Sequence, residues 1–130
     1  MKMLVVDDEP DVKLLFEQKF RREIKGGKVE MLFALSGEEA LQILNNSGAA
    51  DVVLILSDIN MPGMSGLELL RIIKTNTPEQ KVFMITAYND ETNYQKAVQY
   101  GADDYITKPI DFDPLKKRIL ADEAAPKEMK

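Results

Sequence analysis

The chain has 130 residues, 45% of them apolar, which is enough for one domain with a sizeable core; a net charge of −5 with scattered Lys and Arg offers no electrostatic footprint for direct binding of nucleic acid or anionic lipid. It contains no cysteine and no histidine, which excludes disulfides, thiolate chemistry, a serine–histidine triad and a phosphohistidine-carrier role, and restricts any metal to oxygen ligands, favouring Mg²⁺ or Mn²⁺ over zinc or copper. No apolar run reaches membrane-spanning length and no cleavable leader opens the chain, so a soluble, cytoplasmic protein is expected.

Lys2–Val6 (KMLVV) is short and continuously apolar, which predicts a strand buried on both faces, and it runs directly into Asp7, Asp8 and Glu9. Pro10 suits a first helical turn, and Val12, Leu15, Phe16, Phe20 and Ile24 recur at helical spacing, predicting a helix over 10–24 closed by Gly26 and Gly27. Lys28–Ala34 has the β-rich character of a second strand. Ser36 with Glu39 then forms an S-x-x-E capping box for a helix whose inner face is Ala40, Leu41 and Leu44, ended by residues 45–48. A third strand at 52–57 ends on Asp58 and a turn rich in Gly and Pro. Leu67, Leu70 and Ile73 mark a helix that breaks before Pro78.

Gln80–Thr86 predicts a fourth buried strand. The helix expected over Asp90–Tyr100 has a thin apolar face of Tyr94, Ala97 and Val98, which makes it the most weakly docked, and Gly101 caps it. Asp104–Thr107 is a short fifth strand before Lys108 and Pro109. A last helix starts at Asp113–Pro114, points Leu115 and Ile119 inward and stops before Pro126. The folded domain is thus expected over 1–121, with 122–130 a charged tail or linker remnant. Five strands alternating with five helices predict a doubly wound α/β fold: a parallel sheet, right-handed crossovers and helices on both faces.

In such a sheet the C-terminal strand ends share one edge, which collects Asp7, Asp8, Asp58, Thr86 and Lys108. Taken singly, each reads as a turn residue, a helix cap or a solvated loop lysine; their joint delivery to one edge does not. Carboxylates within about 4 Å repel by roughly 4 kcal/mol per pair at an effective dielectric near 20, so the cluster calls for a cation. Oxygen ligands alone point to Mg²⁺, with Mn²⁺ as the alternative. A metal, an ammonium and a hydroxyl around one carboxylate suit a phosphoryl group.

The blocks VVDDEP at 5–10, SDINMPGMSG at 57–66, ITA at 85–87 and DDYITKP at 103–109 resemble, in order and spacing, the signature blocks of response regulator receiver domains, the CheY-like phosphoacceptors of two-component signalling. The resemblance implies a (βα)5 sandwich with strand order 2-1-3-4-5. It implies that Asp58 accepts a phosphoryl group from a phosphohistidine of a sensor histidine kinase or histidine phosphotransfer protein. Asp8, Asp58 and the backbone carbonyl of Asn60 would hold Mg²⁺, with Asp7 acting through metal-bound water. Thr86 and Lys108 would bind phosphoryl oxygens, Lys108–Pro109 would be a cis peptide, and Ala87 would be the small residue that leaves the site open. Thr86 and Tyr105 would form the switch, and Asn60 and Tyr88 would tune hydrolysis.

Two new charge-assisted hydrogen bonds, at about 1.5–3 kcal/mol each, are comparable with the roughly 5.5 kcal/mol that inverts a 1:99 equilibrium. The expected activity is therefore self-phosphorylation and self-dephosphorylation coupled to a shape change, with no turnover of other substrates. An Mg²⁺-dependent aspartyl-phosphate phosphohydrolase is the enzyme alternative, though that class shows D-x-D-x-[TV] where this chain has DDEPD; an unphosphorylated docking module is the third reading. No output segment follows the last helix, so the expectation is a stand-alone shuttle or the receiver of a longer protein, with a fused or separate output domain. Leu14 and Ile110 are candidate kinase contacts. The chain is expected to be a monomer or a weak dimer through helix 90–100, strand 104–107 and the last helix.

Overall fold

A computed structural model describes residues 1–46, 51–87 and 89–124. Among these the elements are β1 (Lys2–Val6), α1 (Pro10–Lys19), α2 (Arg21–Lys25), β2 (Glu30–Ala34), α3 (Gly37–Leu44), β3 (Val52–Asp58), α4 (Gly66–Asn76), β4 (Lys81–Thr86), α5 (Glu91–Gln99), β5 (Asp104–Thr107) and α6 (Phe112–Ala124). All strand pairs are parallel, and the sheet runs β2-β1-β3-β4-β5, the doubly wound order expected.

The continuous apolar runs follow from the two-fold alternation of strand side chains across a sheet covered on both faces. Leu4, Val6, Ile55, Val82 and Met84 point to one core, closed by Ala40, Leu69, Leu70, Ile73 and Ala97 from α3, α4 and α5. Met3, Val5, Leu54, Leu56, Phe83 and Ile85 point to the other, closed by Phe16 and Phe20 and by Phe112, Leu115 and Ile119 of α6.

The single helix expected over 10–24 is two helices, hinged at Phe20, whose φ of −103° and ψ of 18° leave the helical region. The hinge keeps Phe20 in the core, stacked on Phe16 at 6.1 Å, and turns α2 so that Glu23 Oε1 lies 3.3 Å from Lys116 Nζ of α6. The inner stripe is also narrower than its spacing suggested. Leu15 is 39% exposed because the bulk of Phe16, Phe20 and Phe112 fills the space beneath α1.

On α5 Ala97 alone is buried, while Tyr94 and Val98 remain 37% and 44% exposed. The small alanine lets the helix axis approach the core, and the larger side chains then flank the contact. At the start of α3, Ser36 Oγ accepts from Glu39 N at 3.0 Å, but Glu39 Oε1 turns back to Leu35 N and leaves the box half formed. A complete capping box stands instead at Ser65–Glu68, opening α4. The last helix begins one residue earlier than expected and continues through Asp122 to Ala124; residues 125–130 and part of the 45–48 helix end lie outside the described residues. No described helix is long and apolar enough to cross a membrane.

Candidate functional site at the sheet edge

Backbone hydrogen bonds carry the sheet one residue past its strands and so fix where the polar side chains depart. Asp7 N donates to Ala34 O at 3.1 Å, Ile59 N to Ile85 O at 3.1 Å and Lys108 N to Thr86 O at 2.8 Å. Asp58, Asp7 and Thr86 are consequently polar residues in a buried setting, at 3%, 5% and 4% exposure, and Asp8 is half-buried. One carboxylate oxygen from each of Asp7, Asp8 and Asp58 lies within 4.8 Å of the others. Lys108 reaches in from the end of β5 and sets Nζ 3.0 Å from Asp58 Oδ2.

The electrostatics follow from that crowding. Burial above all pushes the Asp7 carboxyl above its ordinary range; the hydrogen bond it accepts from Glu9 N at 2.9 Å pulls the other way, and the charge of Asp58 adds to the rise. For Lys108 burial opposes the charged form, but the hydrogen bond and charge of Asp58, with Asp7 and Glu9 behind it, prevail and raise its pKa. One ammonium faces three carboxylates, and the donor set is oxygen alone. Such a cluster fits a hard, strongly hydrated divalent cation and offers nothing to a soft one.

The segment after β3 closes over this edge. Gly66 N donates to Ile59 O at 2.8 Å, bringing the start of α4 so near the end of β3 that a Cβ on Gly66 would collide with Asp58 O and lie 2.8 Å from Ile59 Cα. Asn60 and Ala87 are exposed beside the site, and Tyr88 lies outside the described residues. The Lys108–Pro109 peptide is cis. Tyr105 stands on β5 with its ring against Tyr94, and its hydroxyl donates to Ala102 O at 3.3 Å. A cleft of about 430 Å³ opens between Thr86, Ala87, Asp90, Tyr94 and Thr107. Leu14 is 65% exposed on α1, whereas Ile110 is partly buried against the α6 core, leaving less of it on the surface than a docking contact implied.

The structure thus brings Asp7, Asp8, Asp58 and Lys108 together, sets Thr86 at the neighbouring strand end and leaves Tyr105 on the flank. Sequence reasoning passed over Glu38, whose Oε2 accepts from Met64 N at 3.3 Å across 26 residues. It also passed over Lys74, whose ammonium donates to Asp103 Oδ2 at 2.8 Å across 29 residues. Neither pair leaves a local periodic signal.

The sequence matches the response regulator receiver domain family over residues 3–120. It is 39% identical over 109 residues to the DNA-binding transcriptional regulator NtrC of Escherichia coli K12, covering 84% of this chain and 22% of that protein. It is 34% identical over 119 residues to a cyclic di-GMP phosphodiesterase of Thermotoga maritima, covering 92% of this chain and 30% of that protein. The chain therefore spans less than a third of either relative. Among solved structures, a CheY-like receiver domain protein from Methanospirillum hungatei JF-1 aligns with a TM-score of 0.80 at 30% identity, covering 93% of this chain and 91% of that one. The response regulator TrrA of Thermotoga maritima, solved with Mg²⁺-BeF, aligns with a TM-score of 0.74 at 33% identity, covering 92% and 96%.

Proposed function

The chain belongs to the response regulator receiver domain family, and on that premise we propose that Asp58 is the phosphoacceptor of a two-component signalling reaction. The observation that carries the reading is the 3.0 Å ion pair between Lys108 Nζ and Asp58 Oδ2 inside the three-carboxylate cluster. A carboxylate that is buried, paired on one oxygen and surrounded by like charge is poised for a reaction that brings in a cation and a phosphoryl group together.

The donor is a phosphohistidine on a sensor kinase or phosphotransfer protein. An Asp58 oxygen attacks phosphorus in line, the P–N bond breaks, its electron pair leaves with the imidazole, and the product is an acyl phosphate. Asp8, Asp58 and the Asn60 carbonyl are the residues that would hold Mg²⁺, with Asp7 acting through water. When bound, that ion neutralises charge on the phosphoryl oxygens. Lys108 shifts from the free carboxylate to a phosphoryl oxygen, and Thr86 donates to another.

Thr86 and Tyr105 then form the switch. Movement of Thr86 toward the phosphoryl group vacates space for Tyr105, and α5, which buries only Ala97, repacks. Asn60 and Tyr88 set the lifetime of the acyl phosphate. The domain works on itself and turns over no other substrate, in the cytoplasm, as a monomer or as a weak dimer through α5, β5 and α6, without direct contact with nucleic acid or membrane. The segment after α6 serves as tail or linker to a fused or separate output domain, in keeping with the greater length of its relatives.

Incubation with phosphoramidate or acetyl phosphate and Mg²⁺, followed by intact mass, tests the assignment. One phosphoryl adduct is expected, absent in Asp58→Ala. Persistence of the adduct in that variant overturns the reading.

A further inference from the structure

The segment Ile59–Ser65 is anchored at both ends, by Ile59 N to Ile85 O, by Gly66 N to Ile59 O and by the Ser65–Glu68 capping box. Its crown is met from the side by the first turn of α3. Met64 N donates to Glu38 Oε2 at 3.3 Å. The same oxygen lies 3.2 Å from where a Cβ would stand on Gly63, a turn residue with φ of 72° that favours glycine. Beside it, the Met64 side chain lies over Gly37, where an added Cβ would sit 2.8 Å from Sδ and 3.1 Å from Met64 Cβ.

The turn that makes these contacts is itself well defined. Ser36 Oγ accepts from Glu39 N, and Glu39 is committed to Leu35 N, which leaves Glu38 to face outward toward the crown. At the second helical position its negative charge is favoured by the helix N-terminus. Two consecutive residues of α3, one by a hydrogen bond and one by the absence of a side chain, therefore contact the crown directly.

We propose that Glu38 and Gly37 are positioning residues for the phosphorylation site, holding the crown so that the Asn60 carbonyl is presented beside Asp58. This rests on the assignment of Asp58 and Asn60 given above. A carbonyl ligand belongs to the backbone, so its direction is set by whatever fixes the loop dihedrals rather than by its own side chain. A tethered crown spares the cation site the cost of ordering the loop when it fills.

The test is a Mg²⁺ titration of the full chain, followed by the amide shifts of Asp8 and Ile59 and in parallel by the rate of phosphorylation from phosphoramidate. Glu38→Ala is expected to raise the half-saturating Mg²⁺ concentration about threefold to tenfold in both readouts. The rate at saturating Mg²⁺ should stay within about twofold, because the reacting groups are untouched. Glu38→Gln keeps an acceptor oxygen and should remain within about twofold of the parent, and Gly37→Ala, which displaces Met64, should shift in the same direction as Glu38→Ala. Unchanged half-saturation in Glu38→Ala and Gly37→Ala overturns the proposal, as does faster phosphorylation in both Glu38 variants, which would mark charge repulsion instead. A preserved Mg²⁺ shift with no phosphorylation of the parent chain would support the positioning role while removing the phosphoacceptor reading.

Discussion

Tyr94 of α5 and Tyr105 of β5 meet edge to face, ring centroids 4.8 Å apart and planes at 62°. Because α5 buries only Ala97, this ring contact adds to a small set of contacts that hold the helix on the sheet. An aromatic pair of this geometry contributes about 0.5–1.5 kcal/mol beyond area burial. Tyr94→Ala is therefore expected to lower stability by about 1–2 kcal/mol in urea unfolding. Amide exchange should quicken in residues 91–99 while β1 and β3 stay protected. Uniform exchange across the molecule, or an unchanged urea midpoint, would show that the ring contact carries no such load.

The Asp7 carboxyl, raised above its ordinary value by burial and then by Asp58, makes stability depend on pH in the sense opposite to a salt-bridged acid. The folded state binds this proton more tightly than the unfolded chain. The contribution is therefore fully present below the ordinary carboxylate range and is lost as pH rises through the raised folded value. At neutral pH without a divalent cation, Asp7→Asn should stabilise the fold by about 1–2 kcal/mol, a discounted share of the repulsion between close carboxylates. The gain should shrink toward pH 4, and saturating Mg²⁺ should stabilise the parent more than the variant. Thermal melts in chelator and in Mg²⁺ decide this; a variant less stable than the parent in chelator contradicts it.

Asp103 lies at the opposite end of the sheet from Asp58, beside the start of β4. Its Oδ2 accepts from Val82 N and from Lys74 Nζ, both at 2.8 Å, and Lys74 also donates to Gln80 O at 2.6 Å. The carboxylate thus closes the connection from α4 into β4 against the segment entering β5. Asp103→Ala leaves a part-buried amide and a mostly buried ammonium short of a partner, at an expected cost of about 2 kcal/mol. Phosphorylation at Asp58 should proceed at the parent rate. A loss of rate larger than the loss of folded protein would tie this staple to the site.

What the sequence made legible is what local pattern encodes. Apolar runs marked the strands because both sheet faces are covered, and a carboxylate, a threonine or a lysine at a run's end marked the edge, since parallel strands must all end there. Helix packing was less legible. Val98 and Leu15 lie at core spacing yet stay exposed, because Ala97 and the bulky Phe16 decide how near each helix comes, and that depends on partners far along the chain. The Phe20 hinge follows from its stacking on Phe16 and from Glu23 meeting Lys116, neither of which disturbs the helical period. The tether from Glu38 to Met64 was invisible for the same reason: one glutamate in a first helical turn is ordinary until the loop it meets is folded against it.

Gly66 joins fold and site most directly, since its backbone passes where no side chain fits, against Asp58 O and Ile59 Cα. Its lack of a Cβ matters here for close approach, which relaxed dihedrals cannot restore. In Gly66→Ala either the start of α4 moves outward, breaking the 2.8 Å bond from residue 66 N to Ile59 O, or the end of β3 moves with it and drags Asp58 from Lys108. The first route costs stability and the second costs reactivity. The expected outcome is a loss of about 3 kcal/mol or more in urea unfolding, with phosphorylation of the remaining folded protein at least tenfold slower. Parent-like values in both measurements would mean that the loop absorbs a methyl group without shifting either partner, and the tight passage would then have no part in setting Asp58.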